Sequence, residues 1–143
     1  MTVTAILAAK GRDIVSIEPT ADLAAAADLL ASRRIGALLV FGAGGRIAGI
    51  VSERDIVRVL AERGAEGLRV PVGQAMTRQV ATCTEDEPVS SIMERMTAGK
   101  FRHMPVLTDE KIVGVVSIGD VVKNRLEAME RESEAMRDYI RTA

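Results

Sequence analysis

Two serine–aspartate pairs carry the clearest chemical pattern in the chain. Ser52 and Asp55 stand in "GIVSERDIV" (49–57), and Ser117 and Asp120 in "GVVSIGDVV" (114–122). A serine at the end of a strand, with an acid three residues on, is the spacing of a helix capping box. There the acid also favours the positive end of the helix dipole. The same spacing serves ligand chemistry. A helix N-terminus at a strand end offers unpaired N–H groups to phosphate, and a carboxylate that accepts two hydrogen bonds suits a ribose diol. Spacing alone serves both roles.

Other reactive side chains are sparse. His103 is the lone histidine and Cys83 the lone cysteine. A metal site needs several ligands at matched spacing, so metal is not expected. Cys83 lies between Thr82 and Thr84 on an expected strand and reads as a small core residue. No activated nucleophile, paired catalytic carboxylates or Gly-rich phosphate loop is present, so an enzyme is not expected.

The elements that position these residues come in two copies. Gly49 and Gly114, Ser52 and Ser117, and Asp55 and Asp120 recur at a constant offset, which is the mark of an internal repeat. Each copy begins with a β-rich run, "DIVSIEP" (13–19) or "VATCTED" (80–86). A helix follows, 20–34 or 87–100, with Thr20 and Asp22 at the first N-terminus. Two strands come next, joined at Gly44-Gly45 or Asp109-Glu110, and a helix closes the copy, over 53–63 or about 118–140. Short helical leads, "VTAILAAKG" and "VGQAMTR", precede the copies, and "RGAEGLRVP" marks the joint. A ~60-residue unit buries little surface alone, so the two copies are expected to share one globular unit with pseudo-two-fold symmetry.

Composition narrows the roles. Of 143 residues, 48% are hydrophobic but only 2% aromatic, so the core is aliphatic and stacking of single-stranded bases on aromatic rings is disfavoured. A formal net charge of −1 gives no basic field for nucleic acid. One cysteine fits a reducing compartment, the N-terminus lacks a secretory pattern, and no apolar run reaches the ~20 residues of a membrane span. A cytoplasmic protein is expected.

The duplicated layout, with "RIGALLV…GRIAGIVSERDIV" and "KFRHMPVLTDEKIVGVVSIGDVV", resembles a tandem pair of CBS domains, named for cystathionine β-synthase. The likeness covers about residues 1–125 and is nearest to stand-alone proteins made of one CBS pair. It implies an α/β (α+β) fold of two β-α-β-β-α repeats, together forming a Bateman module. The expected divisions are 1–66 for the first repeat with its lead, 67–125 for the second, and 126–143 for an extended C-terminal helix.

The resemblance also implies a ligand: AMP, ADP, ATP or NAD(H), with S-adenosylmethionine as a further member of the class. It implies two clefts, each using both repeats. One combines Ser52, Arg54 and Asp55 with Ala81, Thr82, Phe101, Arg102 and His103. The other combines Ser117 and Asp120 with Val15, Ser16, Ile35, Gly36 and Ala37. In each, the resemblance implies that the aspartate holds ribose and that adenine lies against the first strand and the strand-entry segment of the other copy. "FRHMPV" matches the family's phosphate-contacting basic pair, whereas its counterpart "IGALLV" has none. "SERD" likewise carries Arg54 where "SIGD" carries Gly119. Phosphate recognition is therefore expected to concentrate at Asp55.

The functional expectation is a non-catalytic adenine-nucleotide sensor for energy sensing that acts in trans on a partner protein. The alternative is a structural or dimerisation module in which the two motifs only cap helices. Val122, Leu126, Met129, Ser133, Met136 and Ile140 form a heptad-like seam that could pack on its own module or pair with the same helix of a second copy, and the homodimer contact is the one expected.

Overall fold

The computed structural model describes residues 1–142. In chain order it contains α1 (Val3–Lys10), β1 (Ser16–Ile17), α2 (Leu23–Arg33), β2 (Ala37–Phe41), β3 (Ile47–Ser52), α3 (Glu53–Arg63), α4 (Val72–Ala75), β4 (Cys83–Thr84), α5 (Val89–Gly99), β5 (His103–Thr108), β6 (Lys111–Ser117) and α6 (Ile118–Thr142). Two three-stranded sheets form, ordered β1-β2-β3 and β4-β5-β6. In each, the short first strand runs parallel to the central strand and the hairpin partner runs antiparallel. The β-α-β-β-α order of each repeat is therefore the one expected.

The chain forms two compact units, Ile14–Val80 and a second made of Met1–Asp13 with Ala81–Ala143. This differs from a division at residue 66. The N-terminal lead, expected with the first repeat, packs in the second unit. Segment 67–80, expected to open the second repeat, packs in the first. The reason is apolar burial. Val3, Ile6 and Leu7 of α1 join a core with Cys83, Val89, Ile92, Met96, Met104, Val106, Val116 and Val121. Val70, Val72, Ala75 and Met76 join the other core, with Leu23, Leu38, Val40, Val51 and Ile56.

Local chemistry sets the element ends. Asp22 caps α2 by accepting from the Ala25 amide at 2.9 Å, as an N-cap oxygen does. Asp109 and Glu110 both adopt positive φ (51° and 64°), the pattern of a type I′ hairpin. The first repeat meets the same demand with Gly44 and Gly45. Both hairpins carry a bulge at corresponding places, between Val40 and Phe41 and between Val106 and Leu107.

The lead "VGQAMTR" gives only the four-residue α4, because Pro71 starts it and Met76 is already extended. No helix among the described residues is long and apolar enough to cross a membrane.

Candidate functional site

In both units the end of the hairpin's second strand runs directly into a helix, and the Ser-x-x-Asp motif straddles the junction. In the first unit, Ser52 ends β3 and caps α3. Its amide donates to Asp55 Oδ2 at 2.9 Å and its Oγ donates to the same oxygen at 3.1 Å, while the Asp55 amide approaches Ser52 Oγ at 3.4 Å. The next amide, that of Glu53, donates to the Gly36 carbonyl at 3.0 Å, tying the strand-entry segment to the helix start. Ala37 pairs with Ser52, and the Leu39 amide bonds the Val15 carbonyl. Ser16 is registered with Leu39, and Ile35 packs against the same core. Thus Val15, Ser16, Ile35, Gly36 and Ala37 lie in the unit of Ser52, Arg54 and Asp55.

The second unit repeats the plan. The Ser117 amide donates to Asp120 Oδ2 at 2.8 Å, and the Asp120 amide donates to Ser117 Oγ at 3.1 Å. The Ile118 amide donates to the Arg102 carbonyl at 2.8 Å, and His103 is registered opposite Ser117. Ala81 and Phe101 pack against this unit's core, and the Thr82 carbonyl accepts from Arg95 at 2.7 Å. Arg102 and His103, which the family resemblance assigns to the Asp55 cleft, stand in the backbone pairing at the same sheet end as Ser117 and Asp120. The backbone pairing that places Gly36 beside Ser52 in the first unit places Arg102 beside Ser117 in the second.

The two aspartates sit in different surroundings. Asp55 is the buried charged residue of its unit, with 5% of its side chain accessible. Its Oδ1 accepts from Arg58 at 3.0 Å and from Thr77 Oγ1 at 3.3 Å, in addition to the two donors on Oδ2. Both oxygens thus have two donors, the ordinary capacity of an ionised carboxylate. Arg58 is itself held by the Ala75 carbonyl at 3.0 Å. Asp120 keeps 22% of its side chain accessible, and its Oδ2 also receives Lys10 Nζ at 2.7 Å. Lys10 in turn donates to the Val115 carbonyl at 2.8 Å. Burial raises the Asp120 pKa, but the Lys10 hydrogen bond, the Ser117 amide and the Lys10 charge outweigh it. The carboxyl is held below its ordinary value.

Three residues in these networks were outside the sequence reading: Lys10, Arg58 and Thr77. Arg58 carried a signal, being one helical turn from Asp55. Lys10 and Thr77 carried none, since they reach the acids from distant segments. Cys83 is buried, as its flanking strand residues implied, and burial with the nearby Glu87 charge pushes its thiol up to about 12. Among the described residues, no group of three or more His, Cys, Asp or Glu is arranged to hold a metal ion.

The family profile of the CBS domain matches residues 10–62 and 72–127. The crystal structure of a CBS-domain containing protein from Agrobacterium tumefaciens is 42% identical, with a TM-score of 0.84 over 87% of this chain and 92% of that one. A CBS domain protein from Pyrobaculum aerophilum, solved in complex with AMP, is 29% identical, with a TM-score of 0.73 over 84% and 89% of the two chains. A CBS domain pair solved with 5′-methylthioadenosine and S-adenosyl-L-methionine is 27% identical, with a TM-score of 0.76 over 86% and 98%. The chain spans two thirds or less of the length of the curated relatives it matches. One is a mitochondrial CBS domain-containing protein of Arabidopsis thaliana, 34% identical over 115 residues, 78% of this chain and 56% of that protein.

Proposed function

Because the chain belongs to the CBS-domain family, we propose that it is a regulatory module that binds an adenine nucleotide or related adenosyl ligand and acts in trans on a partner protein. The observation that carries this reading is the accessible Asp120 carboxylate at the start of α6, with Lys10 in contact and Arg102 and His103 at the same sheet end. That arrangement offers an acceptor for a ribose diol and basic groups for phosphate. Similar chains that hold AMP, or 5′-methylthioadenosine and S-adenosylmethionine, support the adenosyl class.

The Asp55 carboxylate already has its full set of donors, so a ribose there must displace Arg58 or Thr77. At Asp120 a ligand need displace only Lys10, whose flexible side chain can turn to a phosphate. We therefore assign the stronger site to Ser117 and Asp120, with Arg54 serving a weaker one at Ser52 and Asp55. This reverses the ranking suggested by the Arg54/Gly119 difference. Val15, Ser16, Ala81 and Thr82, at or beside the first strands, and the strand-entry residues Ile35, Gly36, Ala37 and Phe101 are assigned to adenine contacts. No catalytic step and no required cofactor enter the reading, and the assembly is a homodimer. A ligand regulates such a module by its differential affinity for two states, which alters the surface offered to the regulated protein.

A thermal-shift screen with AMP, ATP, NADH and S-adenosylmethionine tests the reading. A ligand at about a hundredfold above its Kd stabilises by roughly 2.7 kcal/mol. Asp120→Ala and Arg102→Ala should weaken the responding ligand more than Arg54→Ala. The opposite ranking removes the site assignment, and turnover of any of the four indicates an enzyme. A second reading has one observation in its favour, that both Ser-x-x-Asp boxes close on themselves. A purely structural module would show no shift with any ligand.

A further inference from the structure

About five turns of α6, from Val122 to Ile140, leave an apolar seam uncovered. Val122, Leu126, Met129, Met136 and Ile140 are each between 43% and 67% accessible, and every residue from Met129 to Thr142 is exposed. A helical stretch of about that length is marginally stable alone in water. The seam repeats at alternating spacings of four and three, with Ser133 as its polar member. It runs about 27 Å at the rise of an α-helix. Met129 and Met136 occupy d positions, and Leu126, Ser133 and Ile140 occupy a positions.

The charges beside the seam specify what covers it. The flanking e positions are Lys123, Glu130 and Arg137, and the g positions are Arg125, Glu132 and Tyr139. In a parallel, in-register pair of these helices, each g residue faces the e residue five positions on in the other helix. Arg125 then faces Glu130 of the second copy, and Glu132 faces its Arg137. Both pairs are attractive, and two-fold symmetry doubles them. Ser133 meets Ser133, so the polar layer is matched. The antiparallel arrangement that overlaps the whole seam does the reverse. Glu130 meets Glu130, Glu132 meets Glu132, Lys123 meets Arg137, and Ser133 faces Met129. Sliding the antiparallel helices to relieve these repulsions leaves part of the seam uncovered.

We propose that α6 pairs with α6 of a second copy as a parallel, in-register two-stranded coil along Val122–Ile140, its direction and register set by Arg125–Glu130 and Glu132–Arg137 pairs and by the Ser133 layer. The proposal rests on the homodimer reading above and adds the surface, direction and register.

The full-length chain tests it. Ser133→Cys should form an intermolecular disulfide under mild oxidation, because facing a positions in a parallel coil lie within disulfide reach. The parent chain, whose Cys83 is buried, should not. Arg125→Glu or Glu130→Arg alone should weaken the dimer by about tenfold, as two attractions become two repulsions. The combined variant should restore it to within about twofold. Analytical ultracentrifugation reads both dissociation constants. A monomer at all concentrations overturns the homodimer reading and the coil together. A dimer that survives truncation after Lys123 keeps the homodimer and removes the coil. A dimer that gives no Ser133→Cys disulfide, but a disulfide between Met129→Cys and Ser133→Cys chains, makes the coil antiparallel and refutes the proposed direction.

Discussion

Gly49 and Gly114 hold the same place in the repeated motif, yet an added methyl group meets different obstacles at the two positions. At Gly49 a Cβ would lie 2.6 Å from the Thr77 carbonyl oxygen and 2.8 Å from Met76 Sδ. That carbonyl cannot retreat cheaply. It accepts from the Ile50 amide at 3.0 Å, and the Thr77 amide donates to the Ile50 carbonyl at 2.8 Å, closing a two-bond bridge. At Gly114 the nearest atom is Leu7 Cδ2 at 2.7 Å, the end of a side chain that can turn. Overpacking costs about 1–3 kcal/mol, and disturbing the bridge adds about 1 kcal/mol per bond. Replacing a strand glycine returns about 0.5–1 kcal/mol of backbone entropy. Gly49→Ala is therefore expected to destabilise by about 3 kcal/mol and Gly114→Ala by about 1 kcal/mol or less. With about 2.1 cal/mol/K of unfolding entropy per residue, these correspond to drops in Tm of roughly 10 °C and 3 °C. Urea unfolding and calorimetry of both variants measure the difference. Leu7→Val should also relieve Gly114→Ala in the double variant. Equal losses at the two glycines, or a larger loss at Gly114, would refute the reasoning that a fixed carbonyl resists and a side chain yields.

Asp55→Ala should cost about 2–3 kcal/mol in urea unfolding, because the Ser52 amide and the Thr77 hydroxyl lose a buried acceptor. A loss below 0.5 kcal/mol, a bound set by the least such groups are worth, would mean water replaces the carboxylate. The depressed Asp120 pKa stabilises the fold at pH values above the ordinary 3.8, and that contribution disappears as pH falls through the folded value. The stability gap between the parent and Asp120→Asn should accordingly be full at neutral pH, close in acid, and narrow in a Lys10→Met background. Cys83, with its thiol pushed up to about 12, should resist alkylation at pH 8 until the chain is unfolded. Prompt modification of the native chain would show that its pocket opens. Arg34 closes α2 with φ of 55°, so Arg34→Gly should raise stability by about 1 kcal/mol by removing left-handed strain.

The repeat, the order of its elements, both hairpins and both Ser-x-x-Asp junctions were legible in the chain itself. Each is written in local terms: alternating apolar residues for strands, helical spacing for α2 and α5, and a serine followed by an acid at a helix start. The seam on α6 was legible for the same reason, since a heptad pattern lies within one helix. Which core each lead helix completes was not legible. Val3, Ile6 and Leu7 are followed directly by the first repeat, yet they bury against Met104, Val116 and Val121 of the second. Apolar burial has no sequence direction, and only the folded chain decides which open core a short helix fills. The same holds for the difference between the two aspartates. From Ser52-Glu53-Arg54-Asp55 and Ser117-Ile118-Gly119-Asp120, the first looks richer in phosphate chemistry. Tertiary structure adds Thr77 to the Arg58 that already lies one helical turn from Asp55, and leaves Asp120 accessible beside Lys10. A carboxylate's availability depends on how many donors reach it, and two of the deciding donors, Thr77 and Lys10, come from segments 22 and 110 residues away in the chain.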